Sequence, residues 1–161
     1  MVSIILPKKI ERKLREEAER RVATEEEVII EVLSKMLDEP VNPNERAEIH
    51  LRLCEKYIGE AEEFLKKADY AQASEKAWGA ASQAVKALAM KRGKELRSHR
   101  ELHEFVAKIS EELKDKEIGR LWRSVTSLHQ NFYENWFTES QVLDGVEDAK
   151  KLIEKLIQLV K

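Results

Sequence analysis

The chain has 161 residues, of which 42% are hydrophobic and 37% are charged, and its formal net charge is -2. This length supports one good core, or a moderate core with a small dimerising module, and the apolar content excludes a disordered chain. The near-neutral charge gives no global reason to bind nucleic acid or an anionic membrane, so any basic surface has to be local.

Several features indicate a cytoplasmic protein without a membrane partner or a cofactor. Cys54 is the only cysteine, which excludes an internal disulfide and a cysteine zinc cage. No run of about 18 apolar residues occurs, and MVSIILPKK becomes charged too early for a secretory signal. The absence of GxGxxG and Walker patterns disfavours nucleotide binding by a standard loop.

Residues 1–38 are predicted to form a strand, a helix, a turn and a second helix. The aliphatic run Val2–Leu6 has high strand propensity, and Pro7 closes it as a short edge strand. A helix follows until Val22, and a second helix begins with the capping-box pair Thr24 and Glu27. A lone strand cannot satisfy its own backbone groups within a sheet, so a second copy of the chain is expected to pair with it.

The stretch from Val2 to about Leu37 resembles the ribbon-helix-helix family, in which two chains pair their strands and read the DNA major groove. The resemblance implies a homodimer through the N-terminal strand. Outward-facing Met1, Ser3 and Ile5 would read bases poorly, which favours dimerisation over DNA contact. If DNA is bound, the tentative DNA-binding residues are Ser3, Lys8, Lys9 and Arg12, because the basic side chains near the strand can contact phosphates.

The remaining chain is predicted to be an up-down bundle of five helices over residues 45–161, after a proline-containing linker at residues 39–44. Asn44 is the predicted cap of the first bundle helix. Asp69 and Gln72 begin the second, whose alanine-rich face predicts a central position because small side chains allow close approach. Ser98 and Glu101 form a second capping box.

Four sequence stretches carry a further resemblance: ADYAQASEKAWGAASQAVKALAMKRG, RSHRELHEF, LWRSVTSLHQNFYENW and VEDAKKLIEKL. Together they resemble the HEPN superfamily of small helical proteins over most of residues 45–160. Within that group, the string LHQNFYE is most similar to the archaeal PaREP family, whose biochemical role is essentially unassigned. The predicted fold class is therefore all-α, a HEPN-like bundle preceded by a strand-helix-helix module.

Catalytic HEPN proteins are metal-independent ribonucleases in which an arginine and a histidine, four to six residues apart, converge at a dimer interface. The resemblance implies Arg123 and His129 as that pair, with Tyr133 as a further hydrogen-bonding residue. Histidine can move protons at a ribose hydroxyl, and arginine can stabilise charge on phosphorus. On one helix, however, a six-residue step leaves the two side chains about 120° apart, so they need a partner chain to meet.

An alternative explains the same residues without catalysis, as a hydrogen-bonded polar strip in the bundle wall or the dimer interface. Arg97 and His103 have the same spacing where no active site is expected. His99 and His103 are better explained as capping and surface residues than as metal ligands. Three functions therefore remain: a non-catalytic homodimeric PaREP-type protein, which is favoured, a metal-independent endoribonuclease, and an antitoxin-like DNA-binding regulator.

Overall fold

The computed structural model describes residues 2–161, and Met1 lies outside this range. Within the described range the chain forms seven α-helices. They are α1 Lys8–Arg21, α2 Glu25–Leu37, α3 Pro43–Lys66, α4 Tyr70–Lys91, α5 His99–Glu112, α6 Lys116–Glu134 and α7 Glu139–Val160.

The strand predicted for Val2–Leu6 is wrong, and with it the strand-helix-helix module. Residues 2–161 contain no strand, and residues 2–6 have no regular secondary structure. The side chains of Val2 and Ile5 are 86% and 96% exposed, so this backbone can bond to water instead of a second strand. Pro7 is the N-cap of α1 instead of the end of a strand. The ribbon that would have presented Ser3 to DNA is therefore absent from the described chain.

The two helices that follow form a helical hairpin, α1–α2, whose turn is built from local signals. Val22 ends α1 in the left-handed conformation at a φ of 52°, and its N–H bonds to the last carbonyls of the helix. Thr24 and Glu27 then form both halves of the predicted capping box. The sequence therefore identified both hairpin helices and the turn between them correctly.

A network of buried polar groups attaches the hairpin to the rest of the chain. Lys86 on α4 is 5% exposed, and its Nζ donates to the Val22 carbonyl at 2.8 Å and to Glu27 Oε1 at 2.9 Å. Gln83 Nε2 donates to Glu27 Oε2 at 3.0 Å, and Gln83 Oε1 lies 2.7 Å from His50 Nδ1. We call these residues, Glu27, His50, Gln83 and Lys86, the Lys86 network. It joins the capping residue of α2 to helices α3 and α4.

Helices α3–α7 form the predicted bundle, and α4 lies at its centre. The N-cap of α3 is Asn42 instead of Asn44, and Pro43 occupies the first helical position. Asp69 caps α4 as predicted, by accepting from the Gln72 backbone N–H. The alanine-rich face of α4 is fully buried against α3, α6 and α7, which confirms its central position. Its fully buried alanines are Ala73, Ala77, Ala80, Ala81, Ala84, Ala87 and Ala89.

One glycine fixes the close approach of α6 and α7. A Cβ atom on Gly145 would lie 2.6 Å from Cδ2 of Leu128, a fully buried side chain of α6. Only glycine leaves room for Leu128 in this conformation. This contact fixes how closely α6 approaches α7 at Leu128, one residue before His129.

None of the helices described for residues 2–161 is long and apolar enough to cross a membrane.

Candidate functional site

His129 on α6 is paired with a carboxylate on the central helix. Its Nδ1 lies 2.8 Å from Oε2 of Glu75 on α4. A carboxylate can only accept hydrogen bonds, so Nδ1 carries the proton in this pair. In the neutral ring, Nε2 then keeps its lone pair. This is the tautomer that a general base requires, with the carboxylate fixing the orientation of the imidazole.

Three aromatic rings surround the pair. Trp78, one turn after Glu75, stacks on His129 with ring centroids 4.1 Å apart and an interplanar angle of 20°. The ring centroid of His99 lies 5.2 Å from that of His129. The Tyr133 ring contacts the His129 ring edge-on, with centroids 5.4 Å apart. We call these five residues, Glu75, Trp78, His99, His129 and Tyr133, the imidazole cluster. The His129 side chain is 23% exposed, so the cluster reaches the surface.

The environment shifts the pKa values of two residues of the cluster, His99 and Tyr133. Burial lowers the pKa of His99, and the neighbouring His129 and His103 act in the same direction by disfavouring a further positive charge. Burial raises the pKa of the Tyr133 phenol, and the charge of Glu75 adds to this effect. His99 is therefore a stronger acid than an ordinary histidine when protonated, and Tyr133 remains a hydrogen-bond donor at neutral pH.

Asn131, two residues after His129, supports the site from within the core. It is fully buried, its Nδ2 donates to Ser74 Oγ at 2.9 Å, and its Oδ1 accepts from the Phe137 backbone N–H at 2.8 Å. Both ends of the amide are occupied, so it cannot contact a substrate. It joins α6 to α4 and to the connector before α7, and this holds His129 in register with Glu75.

Arg123 lies apart from the imidazole cluster. It is exposed, and its guanidinium lies beside Gly119 on the preceding turn of α6. No hydrogen bond or ion pair within the described chain links it to Glu75 or His129. The single chain therefore brings His129 and Tyr133 together but leaves Arg123 on another face of the helix, as the spacing predicted.

The tentative DNA-binding residues Ser3, Lys8, Lys9 and Arg12 are all exposed. Lys8 and Arg12 border a shallow groove along α1 whose lining holds equal numbers of basic and acidic side chains. These are Lys8, Glu11, Arg12, Arg15, Glu16 and Glu19. Because its charges balance, this groove is not a basic patch of the kind that phosphate binding requires.

The second Arg-x5-His match has a local role. His103 is exposed, and its Nδ1 accepts a hydrogen bond from the Trp122 indole N–H at 2.9 Å. His99, by contrast, belongs to the imidazole cluster, although the sequence suggested only a capping or surface role for it. Within residues 2–161, no group of three His, Cys, Asp or Glu side chains is arranged to hold a metal ion.

Glu75, Trp78 and His99 were missed from the sequence. Glu75 and Trp78 stand one turn apart on a helix that was correctly predicted, and this spacing was the available signal. It did not distinguish them from ordinary surface and core residues.

Comparisons with known proteins concern mainly the bundle. The model of the archaeal PaREP1/PaREP8 family matches residues 49–153, which begin within α3 and end within α7. A crystal structure of a protein from Sulfolobus solfataricus is similar at 31% identity and a TM-score of 0.61, covering 68% of this chain and 97% of that one. No curated protein matches the chain.

Proposed function

The chain belongs to the archaeal PaREP1/PaREP8 family, and from that premise we propose that its imidazole cluster cleaves RNA by metal-independent acid–base catalysis. The observation that carries this proposal is the 2.8 Å contact between His129 Nδ1 and Glu75 Oε2. It gives His129 a defined tautomer, with the acceptor nitrogen directed away from the carboxylate. A second imidazole, that of His99, has its ring centroid 5.2 Å from that of His129 and can supply the complementary acid.

The chemistry assigns a role to each ring. His129 Nε2 removes the proton of a ribose 2′-hydroxyl, and the 2′-oxygen attacks the adjacent phosphorus. The bond from phosphorus to the 5′-oxygen breaks, and protonated His99 donates a proton to that leaving oxygen. The products are a 2′,3′-cyclic phosphate and a 5′-hydroxyl. One imidazole has to be neutral and the other protonated, so the rate should depend on pH as a bell-shaped curve.

The charge that develops on phosphorus requires a cation, and Arg123 is the proposed source. Because Arg123 lies on another face of α6, it reaches the cluster of a second copy instead of its own. This arrangement makes the active species a homodimer with two composite sites, as in a HEPN-like ribonuclease. Tyr133, which is 62% exposed at the edge of the cluster, is the proposed donor of a hydrogen bond to the bound phosphate.

The first test is cleavage of a single-stranded RNA in EDTA, with the same sequence as DNA for comparison. The wild type should cleave only the RNA, because the DNA has no 2′-hydroxyl. His129→Ala should lower the rate at least about 100-fold, the usual contribution of a general base. His50→Gln is the matched control, since it removes an imidazole of the Lys86 network outside the cluster and should retain activity. Absence of cleavage between pH 5 and 9 would contradict the proposal.

A mixing experiment tests the composite site. His129→Ala and Arg123→Ala should each be inactive alone. When equal amounts are mixed and allowed to exchange subunits, half of the dimers contain one intact site, and roughly a quarter of the wild-type activity should return. Persistent inactivity of the mixture, with dimers shown by light scattering, would contradict an Arg123 that acts on the cluster of a second copy.

A second candidate is a non-catalytic homodimer that binds RNA. The stacking of Trp78 on His129 favours it, because the indole covers one face of the imidazole. This protein would retain RNA in a mobility-shift assay without cleaving it, and His129→Ala would leave that binding unchanged. A loss of cleavage with retained binding in the same variant would instead support the catalytic proposal.

A further inference from the structure

A cavity of about 550 Å³ lies between the hairpin, helices α3 and α4, and the connector from α4 to α5. Its volume is within the range of about 300–1,000 Å³ that small-molecule sites occupy. None of the five residues of the imidazole cluster lines it. The cavity is therefore a separate feature, and binding of a ligand in it depends on neither the proposed reaction nor its residues.

Positive charge exceeds negative charge in this cavity. Three carboxylates line it, Glu27, Glu31 and Glu95, against six cationic side chains. The cationic side chains are Arg20, Arg21, Lys35, Arg46, Lys86 and Arg97.

Two of the carboxylates are each shared by two cations. Glu31 lies 3.0 Å from Arg21 and 2.9 Å from Lys35. Glu95 lies 3.4 Å from Arg46 and 3.0 Å from Arg97. Arg20 and Arg21 also pair with Glu17, which lies outside the lining. Arg46 and Arg97 share Glu95 as their carboxylate partner, so the cavity attracts an anion at these two arginines.

The walls of the cavity differ in character. Lys86 of the Lys86 network forms part of the lining and is almost completely buried, whereas the Arg46 and Arg97 side chains are 41% and 76% exposed. The lining also includes an apolar wall. It is made by Val28, Ile30, Val41, Ile49, Met90 and Leu96. A ligand that satisfies both parts has an anionic end and an apolar body.

We propose that this cavity binds a small phosphate monoester with an aromatic or apolar body. The phosphate replaces Glu95 as the partner of Arg46 and Arg97, since exposed ion pairs are weakly held and arginine forks bind phosphate strongly. The body of the ligand lies against Ile49 and Met90. Val28 of α2 lines the same apolar wall from the hairpin.

Occupation of the cavity has a structural consequence, because its two sides belong to different parts of the molecule. Val28 and Ile30 belong to α2, whereas Arg46 and Arg97 belong to α3 and to the connector before α5. A ligand with its body against Val28 and Ile30 and its phosphate on the two arginines joins the hairpin to the bundle. The ligand therefore adds to the attachment that the Lys86 network provides.

Calorimetric titration with AMP and with phenyl phosphate tests the proposal, with adenosine and inorganic phosphate as the two halves of the ligand. The proposal is supported if AMP or phenyl phosphate binds at least tenfold more tightly than adenosine and than inorganic phosphate. The ratio of the AMP and phenyl phosphate affinities shows whether a nucleobase is preferred. Arg46→Ala and Arg97→Ala should each weaken binding at least tenfold. Arg100→Ala, in an exposed pair with Glu104 outside the cavity, is the control.

Hydrogen exchange in the same samples gives an independent result, because bound ligand should slow exchange of the α1 and α2 amides while α7 stays unchanged. Circular dichroism identifies any variant that fails to fold. The proposal is overturned if neither monoester binds at millimolar concentration, if inorganic phosphate binds as tightly as AMP and phenyl phosphate, or if the correctly folded Arg46 and Arg97 variants bind as the wild type does.

Discussion

The hairpin and the bundle are stabilised by different forces. The bundle packs apolar helix faces around α4, whose alanines are fully buried. The hairpin is attached through charged groups, with Glu27 bound to Lys86 and Glu26 bound to Lys56 and Tyr57. Apolar burial is non-directional, whereas a buried ion pair requires specific partners and loses its value when one of them is removed. The hairpin should therefore detach under conditions in which the bundle remains folded.

The largest expected effect comes from removing the buried ammonium. Lys86→Met leaves Glu27 beside an apolar side chain and removes the donor to the Val22 carbonyl. Loss of one partner of a buried charge pair should weaken hairpin attachment by about 2–4 kcal/mol, less than for full burial because Glu27 is partly exposed. Hydrogen exchange should accelerate in α1 and α2 but not in α7.

The double variant Glu27→Gln with Lys86→Met provides the control, since it removes both charges and leaves no unpaired buried ion. It should recover part of the lost protection of the hairpin. Equal acceleration of exchange in all seven helices of the single variant would show that hairpin and bundle unfold as one unit, and would contradict the comparison.

The next effect tests the apolar side of the comparison. Gly145→Ala places a Cβ against the buried side chain of Leu128, and overpacking of this kind should lower the free energy of unfolding of the bundle by about 1–3 kcal/mol. Gly59→Ala is the matched control, because it is also within a helix but meets nothing within 4 Å. It should raise stability by about 0.5–1 kcal/mol through helix propensity. Denaturant unfolding measures both, and equal effects would refute the α6–α7 contact.

A smaller effect concerns pH. Burial lowers the pKa of His50 below its usual 6.5, although Glu27 opposes this, so the folded protein binds this proton less readily than the unfolded chain. The stability that His50 contributes is fully present above pH 6.5 and is lost as the pH falls through its lowered folded pKa. Burial alone would raise the pKa of Glu27, but the charges of Lys86 and His50 outweigh it, and the pKa is lowered from its usual 4.5. The stability that Glu27 contributes is therefore lost as the pH falls below about 4.5.

Hairpin protection measured by hydrogen exchange, corrected for the intrinsic rate at each pH, should therefore decline in two stages as the solution is acidified. His50→Gln should abolish the first stage and leave the second. A profile of the variant that parallels the wild type between pH 7 and 5 would show that His50 does not control the attachment.

The smallest effect is expected from an exposed pair. Arg100 and Glu104 lie four residues apart on α5 with side chains 86% and 62% exposed. Solvent screens their attraction, so Arg100→Ala should leave Tm unchanged in a thermal scan. A clear loss would mean that surface charges stabilise this molecule as much as its buried ones.

Much of the fold could be predicted because helices carry local signals. Thr24 with Glu27 and Asp69 with Gln72 marked helix starts correctly. The strand failed because the β propensity of Val2–Leu6 depends on a neighbouring strand, which the described chain does not supply.

The candidate site could be predicted only in part, for a geometric reason. The family resemblance pointed to His129 as a candidate residue. Its partners Glu75 and His99 depend on how α4, α5 and α6 rotate and shift against each other, and the periodicity of a single helix does not fix these quantities. The separation of Arg123 from His129 could be predicted, because it uses only the rotation within one helix.

The proposed reaction depends most on a His129 imidazole held by Glu75 through one nitrogen and free at the other. Nitrogen-15 NMR of the histidine rings measures this directly. At a pH where the ring is neutral, we predict that His129 carries its proton on Nδ1, and that Glu75→Ala shifts the proton toward Nε2. A wild-type His129 protonated on Nε2 would contradict the proposed base.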